Sequence, residues 1–167
     1  MKITRWLVTT ACLVVAGCGD AGLEVLVLEG EEIHASLRTL EIDSVERLHV
    51  PRDLIPENPM LSSDAAFVRV ISRAGSQGRY ESEGVRAAMY ALYEEEHEVG
   101  FYGLEALSAE DADRIESRLR ETWAYNASFD RAQVHRGGNV ILVIWTDGVS
   151  PEVWQALNAV VAERLGG

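Results

Sequence analysis

The run Val140-Ile141-Leu142-Val143-Ile144-Trp145 constrains this chain more than any other stretch. It is apolar throughout, rich in β-branched residues and free of polar alternation, which suits a central strand covered on both faces. The flanks agree. Upstream, Gly137-Gly138 has the residues that a tight hairpin turn with positive φ requires, so strands are predicted at Ala132–Arg136 and Asn139–Thr146. Downstream, Ser150-Pro151-Glu152 reads as a helix start with proline at the first helical position. Trp154, Leu157, Val161 and Leu165 are the stripe that this helix would bury.

The same reasoning runs back along the chain. Ser108-Ala109-Glu110-Asp111 opens a helix with a serine cap and acids in the first turn, and Ala112, Ile115, Leu119 and Trp123 form its inner face. Val99–Leu104 reads as a strand and Ala66–Ile71 as another. Between them, Val85, Met89, Leu92, Tyr93 and Glu96 fall at helical spacing and predict a helix from Ser82 to His97. Leu23–Leu28 is read as a strand. From Ile33 to Val50 the periodicity fits strand and helix alike; the reading taken is a strand, a turn near Asp43-Ser44 and a second strand at Val45–Val50. The expected fold is α+β: a mixed, mostly antiparallel sheet with about three helices packed on it. Its strand–helix–hairpin–helix part resembles a ferredoxin-like sandwich, in which helices cover one face of the sheet. That architecture hosts many activities and names none.

The first eighteen residues form a separate unit. Lys2 and Arg5 give a positive start, and Trp6–Gly17 is an uncharged stretch of twelve residues. As a helix it would reach about 18 Å, well short of a roughly 30 Å hydrocarbon core. It has the form of a secretory signal. Its end, Val15-Ala16-Gly17-Cys18, resembles the lipobox of bacterial lipoproteins. The resemblance implies cleavage between Gly17 and Cys18 and acyl chains on Cys18, a covalent lipid rather than a cofactor. Two or more chains anchor a protein stably. Gly19 after the cysteine, with Asp20 one place later, implies the outer membrane, with the domain facing the periplasm. Residues 1–17 are thus expected to be removed, residues 18–22 to be the lipidated cysteine and a short tether, and residues 23–167 to be one α+β domain.

Charge and composition remove several functions. Without residues 1–17 the chain keeps 13 basic and 27 acidic residues, a formal charge of −14. Nucleic acid and anionic lipid headgroups select the opposite sign. Lys2 is the only lysine, which excludes a lysine Schiff base and a P-loop lysine in the mature chain. With Cys18 the only mature cysteine, thiol nucleophiles, internal disulfides and cysteine-based zinc sites are excluded too. No Gly-x-Ser-x-Gly elbow, His-Glu-x-x-His helix or glycine-rich phosphate loop is present.

Four features remain as candidates. Pro51, Pro56 and Pro59 make residues 51–65 a long loop that breaks regular structure. Its Leu54, Ile55, Met60 and Leu61 either pack on the domain's own core or dock an envelope protein partner. Glu94 and His97, in the run Glu94-Glu95-Glu96-His97-Glu98, would share a helix face as a candidate metal or ligand pair. Tyr90, Tyr93 and Tyr102 are candidates for a pocket wall. Asp147-Gly148 stands where a strand leaves the sheet, a position that often carries functional acids, and His34, His49 and His135 are isolated in sequence. The function expected first is a non-enzymatic, lipid-anchored binding or assembly module. The alternative is a metal- or small-ligand-binding lipoprotein using Glu94–Glu98, and the third reading is a hydrolase.

Overall fold

In the computed structural model, which describes residues 22–45, 48–125 and 129–166, the apolar run is strand β6 (Val140–Thr146), and all seven of its residues are buried. It is central, paired with β4 (Glu98–Ala106) on one side and β5 (Arg131–Gly137) on the other. The hairpin turn is Gly138-Asn139, one residue later than expected, and Gly138 supplies the positive φ of 55°. β3 (Val85–Glu94) lies beyond β4. The two-residue β1 (Arg38–Thr39) and the three-residue β2 (Met60–Ser62) both pair with its outer edge. The six strands follow the order β1-β3-β4-β6-β5, with β2 beside β1, and the pairs are antiparallel. With its helices the molecule is α+β.

The sheet separates two cores. On one face α2 (Ala65–Gly75) and α3 (Ala109–Ala124) pack over Tyr90, Leu92, Tyr102, Ile141, Val143 and Trp145. On the other, α4 (Pro151–Arg164) and the segment from Leu23 to Leu37 cover Met89, Tyr93, Phe101, Leu142 and Ile144. β3, β4 and β6 therefore alternate between two apolar environments, which is why their sequences show no polar alternation. From α2 to β6 the chain has the strand order of a ferredoxin-like sandwich entered at its second helix. The expectation of one covered face is corrected, because α4 and the N-terminal segment seal the other.

Four local readings are also corrected. Residues 82–97 are not a helix: β3 has both faces buried, and its alanines, good helix formers, imitate a helical pattern. Residues 66–71 are not a strand but the first part of α2. There Asp64 caps the helix, accepting from the N–H groups of Ala66 (2.9 Å) and Phe67 (3.1 Å), and Phe67, Val68, Ile71 and Ser72 face the core. Leu23–Leu26 is a 3-10 turn whose two leucines are fully buried. Ile33–Val50 holds the end of the four-residue α1 (Gly30–Ile33), then β1 and a 3-10 turn at Ile42–Ser44, and no strand among the described residues of 45–50. The signal, Cys18 and the tether up to Ala21 lie outside the described residues.

The two helix starts read from sequence are as expected. Ser108 accepts from the Asp111 N–H at 3.1 Å, and Ser150 from the Val153 N–H at 3.3 Å. The stripe of α4 is Val153, Leu157, Val161 and Leu165, with Trp154 half-buried beside it.

Candidate functional site

Residues 51–65 fold onto the domain. Ile55 is fully buried in the core under α2 and α3, and Leu54 and Met60 pack against that core from half-buried positions. Leu61 does the same on the opposite face. Asn58, ahead of the cis Asn58–Pro59 peptide, ties the loop down: its Nδ2 donates to the carbonyls of Leu40 (2.8 Å) and Leu92 (2.7 Å), and its Oδ1 accepts from the Leu92 N–H (2.9 Å). Of the two roles open to the segment, packing on its own core is the one its geometry serves. Ile55 presents no surface to a partner.

One end of the sheet, where β3 ends, β4 begins and β6 ends, carries the most chemistry. A cleft of about 610 Å³ opens there, lined by Arg38, His49, Glu94, Glu98 and Asp147 over a wall that includes Leu40 and Val45. Register explains the convergence: Glu94 pairs with Glu98 across the β3–β4 turn, and Arg38 of β1 sits opposite Glu94. Arg38 Nε donates to Glu94 Oε2 at 2.8 Å. The Asp147 N–H and the Thr146 hydroxyl both donate to the Glu98 carbonyl, at 3.2 and 3.0 Å, and hold the β6 exit against the start of β4. Burial pushes the Glu98 carboxyl above the usual carboxylate range; the Asp147 and Glu94 charges add to the rise, and His49 opposes it.

His49 is also a wall of a second cavity of about 320 Å³, lined by Ala74, Gln77, Tyr102, Trp123 and Phe129. Behind His49 stands Trp145, their rings edge to face at 5.2 Å. Phe129 lies 4.6 Å from the indole, and Tyr102 stacks on it at 6.3 Å. The indole can lie there because its register partner is Gly100: any Cβ at that position would collide with the ring at Nε1 and Cε2. Glu98, Gly100 and Tyr102 alternate along one face of β4. Trp145 Nε1 therefore lies over Gly100, on the face of β4 that also carries Glu98 and Tyr102.

Two polar groups in this wall are buried without partners, the Tyr90 hydroxyl and Trp145 Nε1–H. Both residues are fully buried. Burial drives the Tyr102 pKa upward, and the neighbouring Trp145 side chain opposes the rise. Burial raises the Tyr90 pKa, and the charges of Tyr102 and Glu98 add to the rise. A buried donor left unpaired costs roughly 1–3 kcal/mol, and such groups in a native protein call for an explanation.

The other candidate residues separate. Tyr93 is on the opposite face, where its hydroxyl donates to the Leu28 carbonyl at 2.9 Å. Glu94 and His97 share no helix: Glu94 is at the end of β3, held by Arg38, and His97 is exposed in the following turn beside Gly148. Among the described residues no three His, Cys, Asp or Glu side chains converge as metal ligands. His135 bonds Asn158 at 2.7 Å. His34 Nδ1 lies 2.8 Å from Ser36 Oγ, and its Nε2 lies 3.8 Å from Glu152, which superficially suggests a hydrolase. But Nδ1 also accepts from Ser36's own N–H (3.3 Å), Ser36 Oγ donates to Glu95 (3.1 Å), and the group lies on the surface outside both cavities. It is a histidine-closed turn.

A third hollow, of about 540 Å³, runs past Glu41, Asp43, Arg52 and Glu57. Its one guanidinium is taken, pairing with Asp43 and donating to the carbonyls of Ile42 and Val45, so it lacks the unpaired groups of the cleft. No helix among the described residues is long and apolar enough to cross a membrane. No family model matches this chain, and no curated protein or solved structure is significantly similar to it.

Asp147 and the neighbourhood of Glu98 were visible in the sequence as a strand exit and an acidic run. Arg38, Gly100 and Trp145 were not. The signals for them, an arginine of β1 opposite Glu94 and a glycine of β4 opposite a tryptophan of β6, appear only once the register is known.

Proposed function

We propose that this chain is a lipid-anchored protein of the bacterial cell envelope whose domain binds a small organic ligand in the cleft between Glu98, Asp147 and His49. The lipobox Val15-Ala16-Gly17-Cys18 and the charged, short apolar stretch before it support the anchor. The tether of residues 18–22 keeps the domain beside the membrane.

The observation that carries the binding reading is the conjunction at one end of the sheet. A cleft of a size usual for small-ligand sites adjoins a wall of aromatic rings, and that wall contains two fully buried donors with nothing to bond. It favours the small-ligand alternative over docking through Leu54, Ile55, Met60 and Leu61, which the domain uses for its own packing. It also favours an organic ligand over a metal ion, whose ligand set would need more than Glu94 and His97.

The test is a thermal-shift screen of the full-length chain, purified from membranes in maltoside micelles, against a panel of cationic, neutral and anionic metabolites. A ligand present at 100 times its Kd stabilises by about 2.7 kcal/mol, which raises the midpoint by roughly 5–10 °C for a domain of this size. At least one compound is expected to do so in the wild type and not in a Glu98→Gln/Asp147→Asn variant. Compounds that shift both proteins equally, or none that shifts either, would contradict the proposal.

A further inference from the structure

We infer that the outward side of α4 is a membrane-contact surface: it lies against the lipid bilayer, and the cleft faces away from it into the aqueous phase. The inference rests on the lipid anchor proposed above and adds which face of the domain that anchor brings to the membrane.

The chemistry of this face is the first observation. Val153–Ala162 is a run of ten residues without a charge, and the charged groups of α4 stand only at its ends, in Glu152, Glu163 and Arg164. α3, sixteen residues long, carries eight charged side chains. Val153, Leu157 and Val161 fill the inner side of α4. Its outer side offers Gln155, Ala159 and Ala162, which are exposed, with Trp154 and Val160 half-buried beside them. A helix with no charge on either side has the pattern of one that is covered, yet no described residue covers this side. Such a face can rest on lipid without withdrawing an ion from water, and an indole at its edge suits the boundary between headgroups and hydrocarbon.

The second observation is where the chain leaves the domain. Gly22 is buried, and Leu23 lies against Gly103 in the same core that α4 covers. The 3-10 turn Leu23–Leu26 packs against α4 itself. Four peptide units join Cys18 to Gly22, and they span at most about 14 Å. A sheet with helices on both faces is roughly 30 Å deep. An acyl chain on Cys18 therefore enters the bilayer from the α4 side, and the tether is too short to pass round to α2 and α3. The cleft belongs to that far side, since its wall residues Leu40 and Val45 are part of the core under α2 and α3. Its ligand thus arrives from water and not from lipid.

The test uses the full-length chain, purified with its lipid and placed in phosphatidylcholine nanodiscs. Acylation occupies the thiol of Cys18, the only cysteine of the mature chain, so an introduced cysteine alone takes a fluorescent label. Labels are compared at Ala159→Cys on α4 and Ser117→Cys on α3, both exposed positions. The expected result is quenching by a nitroxide on the lipid headgroup that is severalfold stronger on α4 than on α3, and insensitive to salt because the contact carries no charge. With the label at Gln155→Cys, an added Ala159→Glu/Ala162→Glu pair should reduce the quenching, and circular dichroism shows whether each variant is folded. Equal quenching at Ala159→Cys and Ser117→Cys, or stronger quenching at Ser117→Cys, would overturn the orientation and leave the anchor standing. So would protection of Ala159→Cys from a water-soluble maleimide without quenching by lipid, because a protein partner or a second copy would then cover the face. A wild-type chain whose mass shows no acyl group, or that stays off the discs, would overturn anchor and orientation together.

Discussion

At Gly100 a side chain would enter the space that the Trp145 indole fills, so the shape of the aromatic wall depends on a residue that contributes no atoms to it. Gly100→Val is expected to displace the ring and destabilise the domain by about 1–3 kcal/mol, as other overpacked cores are. The check is a denaturant midpoint together with the near-ultraviolet circular dichroism of Trp145. His135 makes a different residue-scale prediction. Burial holds its pKa below the ordinary value, assisted by the charge of Arg120, while the Asn158 bond opposes the shift. A histidine kept neutral in the fold but free to protonate when unfolded contributes stability that is intact above about pH 6.5 and is lost as pH falls through the unfolded and then the folded value. Thermal midpoints should therefore decline between pH 7 and pH 5 more steeply in the wild type than in His135→Gln, which keeps a donor for Asn158.

At the scale of elements, the proline-containing segment is core rather than free surface. Ile55→Ser should cost about 3–5 kcal/mol, since it removes a fully buried side chain and leaves a hydroxyl in its place. Leu54→Ser, at a half-buried position next door, should cost roughly 1 kcal/mol. Similar small losses at both sites would mean that the segment does not pack as described. The contrast between α3 and β3 shows what the sequence could reveal about elements. α3 carries its own start signal in Ser108 and a one-sided apolar stripe, so its limits were legible. β3 runs between two cores, and a strand with both faces buried has no periodicity to distinguish it from a helix rich in alanine. α2 failed in the opposite direction: Val68, Val70 and Ile71 favour strands, and the cap that overrides them is one aspartate, Asp64, in a stretch read as loop. For the cleft, the acids were legible because they cluster in sequence, whereas Arg38, Gly100 and Trp145 come together only through pairing across 38–94 and 100–145.

At the scale of the molecule, the sheet is sealed on both faces, which leaves its ends for function. One end holds the cleft. The proposed tethering by Cys18 predicts that the full chain sediments with membranes and that Cys18→Ser leaves the membrane fraction without change in the fold of the domain, a comparison that fractionation and circular dichroism make directly. The account of function stands on where a ligand sits. The described residues include three tryptophans, and they report on different places: Trp123 donates to the Gly75 carbonyl at 2.6 Å, Trp154 is half-buried with the opposite core, and Trp145 is the unpaired one beside the cleft. The decisive measurement is the set of indole N–H resonances of the full-length, ¹⁵N-labelled chain in maltoside micelles during titration with a compound that raises the thermal midpoint of the wild type. The account predicts that the Trp145 signal moves with saturation and becomes protected from exchange while the Trp154 signal stays in place. Movement of Trp154 alone, or no movement of Trp145 at saturating ligand, would contradict it.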